Sequence, residues 1–171
     1  MNICLHCAIY THMIHCFLRD SLLKLLLLSN IITIRGHNMN KENVLQLLVK
    51  FINGFVYNKE LISELTEIIS KTGGEKRFFT LMVNKLRLLA ELGLDAVQLT
   101  EFENIGQGIF SMHLATKLFN IRILYGFLPN SEPVLLLAFY ERAGKRRTNY
   151  SSYIEPAKRR LEEEEERFKN E

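Results

Sequence analysis

A chain of 171 residues has room for one domain of ordinary size and an extension, which excludes a multidomain machine. It is 47% hydrophobic and 24% charged with 9 Gly and 3 Pro, so it can bury a core and is neither collagen-like nor disordered as a whole. The net charge of +3, from 22 Lys+Arg against 19 Asp+Glu, singles out no class of partner, but its distribution is uneven. Between 142 and 160, Arg142, Lys145, Arg146, Arg147, Lys158, Arg159 and Arg160 stand against a single acid, Glu155, and Glu162 to Glu166 then supply five acids in a row.

The cysteines are Cys4, Cys7 and Cys16, an odd count with none in the body of the chain. That argues against a disulfide framework and suits a reducing cytoplasm. Cys4-x-x-Cys7 with His12, His15 and Cys16 offers zinc-ligand types, but all fall within 13 residues, with no second pair on its own element, so no metal is expected. The apolar run from 22 to 34 contains Lys24 and is shorter than the roughly 20 residues that a membrane span needs. Met1 to Tyr10 has no basic residue except His, which argues against a secretory signal. Asn38-Met39-Asn40 stands just before regular amphipathic sequence, and Arg35-Gly36 can be encoded by a purine-rich ribosome-binding sequence. Residues 1–38 are therefore expected to be an extension, a translated leader or disordered, with a real helix packing elsewhere as the alternative, and 39–171 to be one domain.

Val44, Leu45, Leu47, Leu48, Phe51 and Ile52 have helical spacing, yet the segment is short and ends at the turn signal Asn53-Gly54, so strand and helix both stay open. Leu61, Ile62, Leu65, Ile68 and Ile69 predict a helix over 58–72, with Asn58 able to cap it and Gly73-Gly74 to end it. Phe78, Phe79, Met82, Val83, Leu86, Leu89 and Ala90 predict a second over 75–92, with Lys85, Arg87 and Glu91 on its wet side, and the two form a helix hairpin. The period then changes to two. Phe110, Met112 and Leu114 alternate with Ser111 and His113, and Phe119, Ile121, Ile123, Tyr125 and Phe127 alternate with Asn120, Arg122, Leu124 and Gly126. The near-continuous apolar run 134–140 predicts a central strand covered on both sides. Gly106-x-Gly108 has no strand-then-helix context and reads as a turn. A last helix opens near the capping box Ser152-x-x-Glu155, with Ile154, Ala157, Leu161 and Phe168 as its stripe and Glu162 to Glu166 as a solvated end. The expected fold is α+β: a helix hairpin packed on one face of a small antiparallel sheet, with a C-terminal helix. The other face stays open and carries Ser111, His113, Asn120 and Arg122.

Leu86-x-x-Leu89-x-x-x-Gly93, Gly108-Ile109-Phe110-x-Met112-x-Leu114, Ile121-Arg122-Ile123-Leu124-Tyr125, Val134-Leu135-Leu136-Leu137-x-Phe139 and Tyr153-Ile154-x-x-Ala157-x-x-Arg160 follow one another in an order that resembles the RelE/HigB-like toxins of bacterial type II toxin–antitoxin modules, in particular their phage-derived branch. The resemblance spans roughly residues 44 to 165, leaves 1–38 outside it, and implies a RelE-like fold with a strand ahead of the helices, over 44–51. It implies a toxin that acts as a ribosome-dependent mRNA endoribonuclease in the cytoplasm. Attack of a ribose 2′-hydroxyl on the adjacent phosphate needs no metal or other cofactor. It needs a group to take the hydroxyl proton, cations to stabilise the charge on phosphorus, and a donor for the leaving oxygen.

Carried over position by position, the resemblance makes Arg122 the strand arginine that holds the phosphate and Tyr153 the tyrosine opening the last helix, with Tyr150 as second choice. The arginine after the last strand falls on Arg142 or Arg146. The two alternating basic positions of the preceding strand fall on Ser111 and His113, which leaves His113 as the proton-transferring group. Glu141-Arg142 stands where the branch has a lysine pair. Lys145, Arg146, Arg147 and Tyr150 make an RNA-facing edge. The implied partners are a cognate antitoxin covering the basic surface from 142 to 160 and mRNA on the ribosome, with no membrane and no small-molecule ligand. A gyrase-inhibiting toxin on the same fold, which would bind without catalysing, and a catalytically degenerate phage-derived protein are the alternatives.

Overall fold

Leu48, Phe51 and Ile52 recur three and four apart, and in the computed structural model they are the buried side of a helix, α1 (Lys41–Ile52). The structure describes residues 41–52, 54–72, 74–141 and 149–170. The strand expected over 44–51 is thus a helix. A strand would turn the adjacent Phe51 and Ile52 to opposite faces, whereas both are buried here against the same core. The chain then turns, with the amides of Gly54 and Phe55 donating to the carbonyls of Phe51 and Ile52 (3.1 and 2.8 Å). What precedes the next helix is a strand of only two residues, β1 (Val56–Tyr57).

Helices α2 (Leu61–Thr72) and α3 (Glu75–Leu92) occupy the expected segments. The Asn58 side-chain carbonyl accepts from the Glu60 amide (3.2 Å) at the approach to α2. Gly74 separates the helices at φ 76°, where a Cβ would also meet Leu118 Cδ1 at 3.0 Å. Helix α3 buries Phe78, Phe79, Met82, Val83, Leu86 and Leu89, and a 3-10 turn (Gly93–Gln98) follows it. Its main helical neighbour is α1, through the edge-on pair Phe51–Phe79, while α2 lies along the last strand of the sheet. Lys85, expected on the wet side, is buried: its ammonium is 2.6 Å from the Glu101 carboxylate and lies over the Phe102 ring.

The sheet adds β2 (Phe102–Gly106), β3 (Ile109–Ala115), β4 (Asn120–Phe127) and β5 (Pro133–Tyr140), in the order β1-β5-β4-β3-β2. Strands β2 to β5 form an antiparallel meander, and β1 joins β5 in parallel, so the five-stranded sheet is mixed rather than purely antiparallel. Phe110, Met112, Ile121 and Ile123 are buried as expected, with Phe78 of α3 edge-on to Phe119. Strand β5 is the doubly covered strand that its apolar run implies.

The second face is not open. Helix α4 (Ser151–Asn170) packs Ala157 and Leu161 against Leu124, Leu137 and Phe139. A Cβ on Gly126 would come within 2.9 Å of both Leu161 methyl carbons, so the absence of a side chain there lets α4 approach β4. Just before α4 the Asn149 side-chain carbonyl accepts from the Ser151 amide and hydroxyl, so the helix opens ahead of the Ser152 box. Phe168 is exposed and so lies off the buried stripe.

Strand β1 covers only the first part of β5, leaving backbone groups beyond it to be satisfied. Arg160 of α4 donates to the Leu136 carbonyl (2.8 Å), and the Ala138 amide donates to Glu64 of α2 (2.8 Å). The same guanidinium donates to Glu64 (2.7 Å) and Glu60, joining α4, α2 and the β5 edge. Beside this cluster the buried Asn58 amide donates to Glu164 (3.0 Å), which also pairs with Arg167. The acidic run is therefore not wholly solvated, because Glu164 belongs to this network.

Candidate functional site

Strand register decides which polar side chains meet. Glu103 pairs with Ser111, His113 with Arg122, and Arg122 with Phe139, so these side chains lie in adjacent strands on the face that α4 partly covers. Glu141 follows the last residue of β5. Its amide donates to the Asn120 carbonyl (2.7 Å), and the Asn120 side-chain amide donates to the Glu141 carbonyl (3.2 Å), which pins the Glu141 backbone beside the start of β4.

At the centre, Arg122 Nε donates to Glu141 Oε2 at 3.0 Å, and the two side chains are only 13% and 14% exposed. The other branch of the guanidinium, Nη1, is 3.8 Å from Glu103 Oε2, a carboxylate that is 53% exposed. His113 Nε2 is 2.6 Å from Asn120 Oδ1 and 3.5 Å from Glu141 Oε2. Arg122 is therefore within ion-pair reach of two carboxylates, and the His113 imidazole is within reach of one of them, Glu141. An arginine drawn into an apolar strand needs such partners, since its charge is rarely buried alone.

The opening of α4 supplies the wall. The Tyr150 hydroxyl donates to Glu103 (2.9 Å) and sits 3.2 Å from the Ser111 hydroxyl. Burial is the largest influence on that phenol and pushes its pKa above the ordinary value, so Tyr150 keeps its proton at neutral pH. The Tyr153 ring stacks on Phe139 with 3.7 Å between centroids, and Tyr150 meets the same Phe139 edge-on. Ser111 is fully buried beneath this wall.

The arrangement brings together His113, Arg122, Tyr150 and Tyr153, the four expected site residues that lie among those described. Arg142, Lys145, Arg146 and Arg147 lie outside the described residues. Arg160 belongs to the inner network of α4 rather than to a basic surface, while Lys158 and Arg159 have carboxylates of their own helix at 3.6 and 3.9 Å, Glu155 and Glu163. Glu103, Asn120 and Glu141 join the site without having been assigned a role from sequence. For Glu103 there was no signal, because Phe-Glu-Asn-Ile-Gly lacks the apolar alternation of a strand.

Chemically, the cluster can hold a phosphate oxygen at Arg122, exchange a proton at His113 or Glu141, and donate one from Tyr150. No group of three or more His, Cys, Asp or Glu suited to a metal ion occurs among the described residues, and no helix among them is long and apolar enough to cross a membrane. Cys4, Cys7, His12, His15 and Cys16, where no metal is expected, lie outside the described residues. No protein-family model matches the chain, and no curated protein matches it.

Proposed function

We propose that this chain is the toxin of a type II toxin–antitoxin module, similar to the RelE/HigB-like family, and that it cuts mRNA on the ribosome by metal-independent attack of a ribose 2′-hydroxyl on the adjacent phosphate. The observation that carries the reading is the contact of His113, Arg122 and Glu141 on one sheet face. In this scheme the 2′-oxygen loses its proton to Glu141 or His113 as it bonds to phosphorus. Arg122 stabilises the added negative charge, and the 5′-oxygen leaves with a proton supplied by the conjugate acid or by Tyr150. Glu103 has to yield its place beside Arg122 to the phosphate, and its exposure and 3.8 Å separation make that pair a weak one.

One observation favours a second reading, a toxin that binds a target such as gyrase without cutting. Arg122 already has two carboxylates beside it, and carboxylates oppose an RNA backbone. Expression of the protein, with transcripts sequenced at their 5′ ends and gyrase supercoiling measured on the same preparation, separates the two. Translation-dependent cuts with active gyrase support the nuclease. Intact transcripts with inhibited gyrase reject it, and no effect on growth supports a degenerate protein. A neighbouring gene for a small antitoxin, and its co-purification with this chain, would support the module.

A further inference from the structure

The geometry points to Asn120 as a positioning residue that holds the neutral His113 ring as its Nε2–H tautomer and leaves Nδ1 to exchange the proton. This rests on the reading of His113 as an acid–base group. The Glu141 carbonyl can only accept, so the Asn120 side chain must turn its NH2 group toward it, as the 3.2 Å contact requires. That leaves Oδ1, which can only accept, facing His113 Nε2 at 2.6 Å. A proton must lie between an amide oxygen and a ring nitrogen at that distance, and only the ring can supply it. Nε2 therefore carries the hydrogen in the neutral as well as the protonated ring, and Nδ1 is the nitrogen with the lone pair.

Two further contacts strengthen the arrangement. The Glu141 amide donates to the Asn120 carbonyl at 2.7 Å, so the two residues are tied at both backbone and side chain and the amide cannot turn over without losing a partner. Glu141 Oε2 lies 3.5 Å from the same ring nitrogen, a second oxygen on the side where Nε2 carries its hydrogen. Arg122 is bound to that carboxylate and paired with His113 across the strands, and Glu103 faces Arg122 from the other side. Asn120 thus has the role of an orienting group behind an acid–base histidine. Such a role needs no charge of its own, only a fixed acceptor.

Two-bond nitrogen–proton correlation spectra of the full-length protein with labelled histidine, recorded at a pH where the ring is neutral, read the tautomer directly. Wild type should show Nδ1 as the unprotonated nitrogen of His113. Asn120→Ala should give a mixture of tautomers, and Asn120→Asp, which keeps an acceptor oxygen, should restore the wild-type pattern. Melting curves establish that each variant is folded. An unprotonated Nε2 in wild type, or a tautomer unchanged in Asn120→Ala, overturns the assignment. In translation-coupled cleavage, Asn120→Ala should lower kcat about tenfold or more, as part of the hundredfold to ten-thousandfold that positioned acid–base groups contribute, with little change in KM. A wild-type protein that shows the Nε2–H tautomer but cuts no RNA would overturn the nuclease reading and the proton-transfer role while leaving the tautomer assignment standing.

Discussion

Arg122 Nε and Glu141 Oε2 form a 3.0 Å ion pair that joins β4 to the residue just past the end of β5. Because both side chains are largely withdrawn from water, neither can lose its partner without leaving a poorly solvated charge. Arg122→Ala should therefore lower RNA cleavage by about a hundredfold or more, in line with the loss of a positioned charge donor, and also destabilise the fold. Arg122→Lys separates the effects. It keeps the charge near Glu141 but loses the forked geometry, so urea denaturation should move little while cleavage remains poor.

Glu103 should act in the opposite direction. Its carboxylate borders Arg122 and accepts from Tyr150, yet it is on the edge strand and half exposed. Glu103→Gln keeps an acceptor for Tyr150 and removes a negative charge from the path of a phosphate. RNA binding, read by fluorescence anisotropy at several salt concentrations, should tighten, and the rate of cleavage should not fall. Weaker binding would mean that Glu103 holds Arg122 in place for RNA rather than competing with it.

The inner network predicts where α4 is fastened. Arg160 touches Leu136, Glu60 and Glu64 with a side chain only 9% exposed. Arg160→Ala leaves the Leu136 carbonyl without its donor and Glu64 and Glu60 without their cation, so it should cost about 1–3 kcal/mol in urea unfolding. Gly126→Val tests the apolar half of the same contact. Its side chain would have to displace Leu161, for an overpacking penalty of about 1–3 kcal/mol.

The acid limb of stability has a named contributor. The hydrogen bond from Lys85, the largest influence, holds the Glu101 carboxyl below its ordinary value against the opposing effect of burial. A carboxyl that is more acidic in the folded chain adds stability above its unfolded value and gives it up as pH falls through the folded one. Lys85→Met keeps the stem packed near Phe102 and removes the ammonium. Its stability profile should therefore be flatter than that of wild type over the acid range, with the curves converging at low pH.

Much of this fold was legible because burial leaves a period in the sequence. Leu61, Leu65 and Ile69 marked α2, and Phe110, Met112, Ile121 and Ile123 marked the covered face of the sheet. The spacing from Val44 to Ile52 allows helix or strand, and only the resemblance favours a strand, over 44–51. The observed α1 follows the local spacing. Strand β2 left no period because its middle residues are polar and exposed at the sheet edge. The polar contacts were hidden for another reason. Asn58 with Glu164 and Arg160 with Glu60 and Glu64 join residues about a hundred positions apart, and nothing local in a carboxylate or amide announces a distant partner. The site shows both cases. His113 and Arg122 stood out as polar residues in apolar strands, whereas Glu141 gained its place from the register of β4 and β5.

The most direct test of RNA cleavage by 2′-hydroxyl attack is the chemistry of the cut ends. Ribosomes translating a defined mRNA are incubated with the protein, and the fragments are examined for the group on each new terminus. Attack by the neighbouring hydroxyl leaves a cyclic or open phosphate on the upstream fragment and a free 5′-hydroxyl on the downstream one, and both should vanish in Arg122→Ala. Downstream fragments bearing a 5′-phosphate, or intact mRNA under conditions where the protein arrests growth, would contradict the mechanism.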